Sequence, residues 1–272
     1  MSYIPIHTSS AISSCGIAIK SITPHITEQP KTYSHSDDYY IFGLVNGGNC
    51  TLNIDFQDYD FTSKDMILIR AGQVHKFISY SDLMANMLIV DSVLLTESEK
   101  RILERCDLPK LQLVDTEHIE QLITLMTEIK VNSNKTIIQR LASVVVALIV
   151  EQVEHTQQQS MANNRYKEIT LLFRELLGKN LLFNHKPSFY AGLLNISTAY
   201  LNECVKKTTG QSVSVSIQNE IMLLAKRRLA YTTTSIKEIA IELGFDDYSY
   251  FTRLFTNVAS ISPSKFRKLY YE

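Results

Sequence analysis

The residues best suited to bind a ligand lie in the segment SIKEIAIELGFDDYSYFTRLF, residues 235–255. Tyr248, Ser249, Thr252 and Arg253 fall on one face of the helix that the second half of this segment predicts. That face offers a phenol, two hydroxyls and a guanidinium group, and it carries no carboxylate. Such groups form hydrogen bonds with phosphate oxygens and with base edges. The spacing therefore predicts a binding surface for a polyanion.

Two short helices are expected to position this face. Ser235 and Glu238 form a capping-box pattern, which predicts the start of the first helix. Gly244 permits the positive φ that ends a helix, and Asp246 with Asp247 suits the start of the second helix. The pattern predicts a helix-turn-helix unit. Its expected core residues, taken from helical spacing, include Ile239, Ala240, Leu243, Tyr250, Phe251 and Phe255.

The segment FYAGLLNISTAYLNECVKK, residues 189–207, repeats this design. Asn195 stands where Gly244 stands in the later copy, and Asn is the residue that most often replaces Gly at positive φ. Two copies joined by the helical pattern QNEIMLLAKRRLAYT are more specific than a single helix pair. The outward face of the earlier copy carries Thr198, Ala199, Asn202, Glu203 and Lys206.

Residues 31–92 have the pattern of short strands separated by turns. YYIFGLV, CTLNID and DMILIR are rich in β-branched and aromatic residues, and turn formers such as NGGN separate them. The pattern predicts a small antiparallel barrel or sandwich. The residues that alternation directs inward could line a small-molecule pocket or fill a core, and both alternatives remain open. They are Phe42, Leu44, Leu52, Ile54, Ile67 and Ile69.

Residues 93–156 change to helical periodicity. The pattern in residues 134–159 is apolar around most of a helix, which requires more than one covering neighbour. A second subunit and the rest of this chain are equally good candidates for that neighbour. The polar stretch EHTQQQSMANN follows, and residues 157–164 are the predicted linker.

Charge is divided unevenly along the 272 residues. Residues 1–160 carry 12 Lys and Arg against 19 Asp and Glu, a net charge of −7, whereas residues 161–272 carry 15 against 9, a net charge of +6. The basic half suits a polyanion. The four cysteines lack metal-ligand spacing, the apolar run LASVVVALIV is too short to span a bilayer, and no secretory signal is visible. These features predict a cytoplasmic protein with no membrane partner.

The stretch from Ile196 to Arg267 resembles the DNA-binding domain of the AraC/XylS family of transcription regulators. It contains the family's signature as IKEIAIELGFDDYSYFTRLF and its terminal motif as SPSKFR. The resemblance implies a DNA-binding domain of seven helices over residues 165–272. It also implies two recognition helices that enter successive major grooves, about 34 Å apart.

The same resemblance implies roles for the outward-facing residues. Arg253 would contact guanine or a phosphate, Asn202 would read adenine, and Glu203 would accept a hydrogen bond from cytosine. Lys206, Lys207 and Lys265 would contact phosphates. Thr198, Ala199, Tyr248, Ser249 and Thr252 would face the bases or the backbone. Two departures from the family pattern, Glu220 and the tail Val258-Ala259-Ser260, reduce the expected phosphate contacts.

HSDDYYIFGLVNGGNCTLNID and DMILIRAGQVHKF resemble the cupin-like sensory domain found in this family, placed here at residues 1–92. His35 and His75 occupy expected positions near the mouth of the pocket. The position that reads HxH in metal-binding cupins reads His35-Ser36-Asp37 here, so one metal ligand is missing. We therefore predict no metal and no cofactor, and we interpret the two histidines as structural residues.

The sequence thus predicts an α+β protein of two domains. A cupin-like antiparallel β-barrel with a helical dimerisation region, residues 93–156, precedes an all-α domain with two helix-turn-helix motifs. The predicted function is sequence-specific DNA binding by a transcription activator, with a small-molecule effector in the barrel. Its predicted partners are double-stranded DNA, a second copy of the chain and, by family resemblance, RNA polymerase. The alternatives are a cupin-type metal enzyme and a helical protein-interaction module.

Overall fold

The computed structural model of the chain describes residues 5–8, 13–24, 31–106, 109–129, 135–161 and 165–271. The chain divides into two compact units, one from Pro5 to Gln157 and one that contains Gln158–Glu272. The first unit is built on a β-sheet and the second is helical. This confirms the predicted two-part layout of a β-rich domain followed by a helical one.

The first unit contains eight strands in its described part. Six of them form one antiparallel sheet, in the order β2-β7-β4-β6-β8 with β5 paired to β4, and β1 pairs in parallel with β3. No strand pairing in the described residues joins the two ends of this sheet, so the predicted closed barrel is replaced by an open, folded sheet. The strands are β1 Ile6–His7, β2 Ile17–Ile22, β3 Ser36–Asp37, β4 Tyr39–Ile54, β5 Gln57–Thr62, β6 Asp65–Ile69, β7 His75–Asp91 and β8 Lys110–Gln112.

The sheet folds over because its two longest strands change register together. The β4–β7 pairing shifts between Val45 and Gly47, between Gly47 and Asn49, and again between Thr51 and Leu52. Such bulges bend a strand and increase its twist. Gly48 at the bend has φ +67°, and a Cβ there would lie 2.2 Å from the backbone oxygen of Asp82. The bend therefore requires glycine at this position.

The two faces of the folded sheet bury different cores. Inside the bend, Leu52, Ile67 and Ile69 pack with Phe61 and Met87. On the other face the sheet packs against helices α1 Glu97–Glu104, α2 Glu117–Glu128 and α3 Lys135–Met161, which follow a short 3₁₀ turn at Ser92–Leu94. This second face is the larger core, and it joins the helical region to the sheet.

Helix α3 is the helix whose apolar circumference raised the question of a second subunit. Most of its apolar stripe, including Ile138, Val145 and Ile149, is buried against the sheet of the same chain. Ile137 and Val144 remain 46% and 48% exposed. By length and composition the segment Lys135–His155 could also cross a membrane, with a mean hydropathy of 1.6. About 39% of that apolar window is buried inside the protein. Residues 157–161 of the predicted linker form the last part of α3, and residues 162–164 lie outside the described residues.

The second unit contains seven helices between residues 165 and 271. They are α4 Arg165–Asn180, α5 Pro187–Leu193, α6 Thr198–Thr209, α7 Val213–Tyr231, α8 Ile236–Glu242, α9 Tyr248–Ala259 and α10 Pro263–Tyr271. Helices α5 and α6 form one pair, α8 and α9 form the other, and α7 contacts α6, α8, α9 and α10. The long central helix thus holds both pairs in one unit.

Candidate nucleic-acid interface

The turn between α8 and α9 has the local structure that the sequence predicts. Ser235 and Glu238 form both hydrogen bonds of the capping box, and Gly244 ends the helix with φ +79°. The carboxylate of Asp247 accepts hydrogen bonds from the backbone N–H groups of Ser249, at 2.7 Å, and Tyr250, at 3.2 Å. These contacts fix the angle at which α9 leaves the turn.

The turn between α5 and α6 repeats this geometry. Asn195 has φ +54°, which confirms that it takes the place of Gly244. The N–H of Ile196 donates to the carbonyl of Ala191 at 3.0 Å, and the N–H of Phe245 donates to the carbonyl of Ala240 at 2.9 Å. The internal duplication therefore extends to the hydrogen bonds that close the two turns.

The outward face of α9 is narrower than predicted. Tyr248, Ser249 and Arg253 are exposed, whereas Thr252 is half-buried and its hydroxyl oxygen has neither solvent access nor a hydrogen-bond partner among the described residues. Thr252 therefore does not present its hydroxyl to a ligand. Tyr250, interpreted as a core residue, is 47% exposed and extends this face.

Two of the predicted reading residues of α6 form hydrogen bonds with other residues of the same unit. Asn202 Oδ1 accepts a hydrogen bond from the N–H of Val213 at 3.1 Å, so Asn202 caps the start of α7. Glu203 Oε1 lies 2.7 Å from Lys207 Nζ and 3.3 Å from the phenol of Tyr166. The i,i+4 spacing of Glu203 and Lys207 is visible in the sequence, but the contacts with Val213 and Tyr166 are not, because those partners lie on other helices.

Tyr166, Glu203 and Lys207 form a small network at the surface between α4 and α6. Lys207 Nζ lies 3.0 Å from the phenol oxygen of Tyr166 and 4.3 Å from the centre of its ring. The hydrogen bond to Lys207 lowers the pKa of Glu203, and the reciprocal hydrogen bond raises the pKa of Lys207. The lysine predicted to contact a phosphate is thus already neutralised by its neighbour.

Among the cations predicted to contact DNA, Lys206, Arg253 and Lys265 remain available. All three are exposed and form no ion pair with any residue that the structure describes. Thr198 and Ala199, at the first turn of α6, are also exposed. The N-terminal ends of α6 and α9 thus carry small and polar side chains, as entry into a groove requires.

The predicted pocket residues of the first unit do not form one wall. Leu52, Ile54, Ile67 and Ile69 belong to the core inside the bend. Phe42 and Leu44 lie on the opposite, helix-covered face. The bulges of β4 lie between Leu44 and Leu52. Each bulge changes which face of the sheet the following side chains occupy, so a simple in–out alternation does not hold across them.

His35 and His75 lie together near the start of β7. Their backbones form a two-way bridge with N–O distances of 3.1 and 2.8 Å, and their rings are 4.2 Å apart. Burial, and next the neighbouring His75, lowers the pKa of His35 to about 3. Asp37 and His7 complete the cluster, and His7 lies on a two-residue strand that sequence periodicity did not reveal.

Two family models match this chain. The model described as an AraC-like ligand binding domain matches residues 24–143, and the model described as a helix-turn-helix domain matches residues 190–269. The protein belongs to the AraC family of transcription regulators. This AraC-family chain is a DNA-binding regulator, not an enzyme, which argues against the predicted alternative of a cupin-type enzyme.

Relatives of the regulator include proteins named as activators. It is 22% identical over 247 residues to the transcriptional activator RhaR of Mannheimia succiniciproducens, with 88% of each chain covered. It is 30% identical over 151 residues to the transcriptional activator Btr of Bacillus subtilis. That match covers 54% of this chain but only 28% of Btr. Among solved structures, the match to ToxT from Vibrio cholerae covers 94% of this chain and 98% of the ToxT chain. The two sequences are 17% identical, and the TM-score is 0.43.

Proposed function

We propose that this chain is a cytoplasmic, sequence-specific transcription activator that reads two adjacent major grooves with α6 and α9. The observation that carries the proposal is the repeated turn. Both helix pairs close with the same backbone hydrogen bond, and both leave the N-terminal end of the second helix exposed. A helix presented in this way suits the major groove, where base edges can be distinguished.

The contacts are assigned by exposure. On α9, Tyr248, Ser249 and Arg253 face the DNA, with Arg253 able to form two hydrogen bonds to guanine or one to a phosphate. On α6, Thr198 and Ala199 contact bases. Lys206, and Lys265 at the start of α10, hold phosphates and so set the register.

The first unit regulates this binding in the proposal. A small-molecule effector shifts the regulator only if the effector binds the DNA-competent state more tightly than the other state. Ile137 and Val144 on the exposed side of α3 provide an apolar surface for a second copy of the chain. RhaR and Btr are named transcriptional activators, which supports activation as the direction of control, and the proposal includes contact with RNA polymerase. The cytoplasmic location follows from action on DNA.

Selection of bound duplexes from a random pool tests the proposal. Arg253→Ala is expected to relax base preference in one segment of the site, and Thr198→Ala in a second segment about one helical turn away. Lys179→Ala removes a positive charge from α4 and should leave both preferences intact. Affinity for the selected duplex should fall steeply with salt, since phosphate contacts release counterions. Unchanged preferences in both variants, or no duplex binding at all, would refute the assignment and favour a protein-interaction module.

A further inference from the structure

A cluster of three histidines and one aspartate lies in the first unit, at the junction of β1, β3 and the start of β7. It consists of His7, His35, Asp37 and His75, and we call it the histidine cluster. One ligand atom each from His7, His35 and Asp37 lie within 4.8 Å of one another. His75 Nε2 lies 3.3 Å from Asp37 Oδ2. Asp37 and His75 have side chains only 1% and 4% exposed.

The hydrogen bonds of two histidines determine where their lone pairs point. His35 Nδ1 lies 3.0 Å from the carbonyl oxygen of Tyr33, and His75 Nδ1 lies 3.2 Å from the carbonyl oxygen of Gln73. A carbonyl oxygen only accepts, so both Nδ1 atoms must carry the proton. In a neutral imidazole, Nε2 then carries the lone pair.

His75 Nε2 lies 3.3 Å from Asp37 Oδ2, and that oxygen is buried without a hydrogen bond of good geometry among the described residues. A buried carboxylate oxygen without a partner is costly. A cation held between the carboxylate and the imidazoles would supply that partner.

We propose that the histidine cluster is a binding site for one divalent transition-metal ion. Bonds of about 2.1 Å to a tetrahedral ion put neighbouring ligand atoms about 3.4 Å apart, close to the spacing of His75 Nε2 and Asp37 Oδ2. Imidazole nitrogens with one carboxylate oxygen suit zinc, iron or nickel. The carbonyls that hold the two Nδ1 atoms are the outer partners that orient ligating histidines.

His7 supplies the ligand that the sequence pattern lacks, and this is why the site departs from the expectation of no metal. Its Nδ1 lies 3.1 Å from Asp37 Oδ1. Its side chain is 22% exposed, so it connects the buried cluster to solvent and gives an ion a path inward.

Lys31 is the group that opposes metal binding. Lys31 Nζ lies 3.0 Å from His7 Nδ1, where its ammonium occupies the lone pair that would bind the ion. The metal must displace this ammonium, and a positive charge so close to the site weakens the attraction for a cation. Removal of the Lys31 charge should therefore increase the affinity for metal.

The test uses the full-length chain, stripped of metal with a chelator and titrated with Zn²⁺ and with Co²⁺. We expect one ion per chain by elemental analysis, and visible Co²⁺ absorption of the intensity that low-symmetry nitrogen and oxygen coordination gives. His35→Gln, His75→Gln and Asp37→Asn should each weaken binding at least tenfold, roughly 1.4 kcal/mol. Lys31→Met should tighten it several-fold, a gain that misfolding would not produce.

A matched control is His118→Gln, because His118 pairs with Asp115 at 2.8 Å on the exposed surface of α2. This variant should bind Zn²⁺ as the parent does. Binding that disappears in His118→Gln but survives in the cluster variants would overturn the proposal, as would the absence of stoichiometric binding in both the parent and Lys31→Met. Neither result depends on DNA, so the site and the proposed function can fail separately.

Discussion

Glu203 Oε1 accepts a hydrogen bond from Lys207 Nζ at 2.7 Å, so an acidic residue of α6 binds a lysine one turn further along the same helix. The phenol of Tyr166 on α4 contacts both groups. This network places a carboxylate and a neutralised lysine at the surface that the proposal directs toward DNA. The network therefore limits the affinity of α6 for a polyanion.

Replacement of Glu203 by Gln should strengthen duplex binding. The substitution keeps a polar side chain but frees the Lys207 ammonium for a phosphate. Each added phosphate contact steepens the salt dependence of the binding constant by about 0.9 in a double-logarithmic plot. We expect about threefold to tenfold tighter binding near physiological salt, with a steeper slope, measured by fluorescence anisotropy on the selected duplex.

Glu154→Gln is the matched control, because it removes the same charge from an exposed position of α3 in the first unit. A local release of Lys207 predicts a larger effect at position 203 than at position 154. Equal effects in the two variants would show that only net charge matters. A decrease in affinity for Glu203→Gln would mean that Glu203 itself contacts DNA.

Asn202 should contribute to folding and not to base preference. Its carboxamide oxygen caps α7 through the N–H of Val213, and loss of such a cap costs about 1 kcal/mol. Asn202→Ala should lower the melting temperature of the helical unit in calorimetry, whereas Asn202→Asp keeps an acceptor and should retain most of the stability. A change of base preference at constant stability would contradict this role.

Ser260→Gly should stabilise the helical unit. Ser260 ends α9 with φ +59°, a left-handed conformation that costs a non-glycine residue about 1–2 kcal/mol. Part of this gain is lost to the greater freedom of glycine in the unfolded chain, so we expect about 0.5–1 kcal/mol more stability. Ser143→Gly, in the exposed interior of α3, is the opposite case and should destabilise the first unit by about 0.5 kcal/mol. If the two variants change the free energy of unfolding in the same direction, the explanation from backbone conformation is refuted.

His185 should make the helical unit less stable as the pH falls below neutrality. Burial lowers its pKa, and its ring packs against Phe245 in a tilted arrangement with centroids 5.5 Å apart. Below a pH of about 6.5 the unfolded chain binds a proton that the folded chain does not, so the free energy of unfolding decreases until the folded pKa is reached.

His185→Gln tests this prediction cleanly, because His185 is the one histidine in the sequence between residues 158 and 272. The variant should flatten the pH dependence of the second unit's calorimetric transition between about pH 5 and pH 7, above the range in which most carboxylates titrate. His155→Gln, on the exposed part of α3, should leave that transition unchanged. The same slope in the parent and in His185→Gln would exclude this histidine as the cause.

The sequence predicted most of the local structure of the helical unit. The Ser235 capping box, the positive φ of Gly244 and the equivalent role of Asn195 depend on residues within a few positions of one another, so short-range physics determines them.

The roles of individual side chains depended on tertiary structure. Exposure separated Ser249 and Arg253 from the half-buried Thr252, although all three share a helix face in the sequence pattern. Asn202 and Glu203 are occupied by Val213 and Tyr166, partners that lie 11 and 37 positions away. No periodicity encodes such distances, since they follow from how the helices pack.

By itself the sequence determined the β-rich and helical halves, the duplicated helix pairs and the charge that suits a polyanion, because composition and periodicity carry that information. Only the tertiary structure decided that the sheet stays open and folds over, because the bulges of β4 and β7 arise from strand pairing. It also decided that His7 joins His35, Asp37 and His75, because residues far apart in the chain meet only when strands pair.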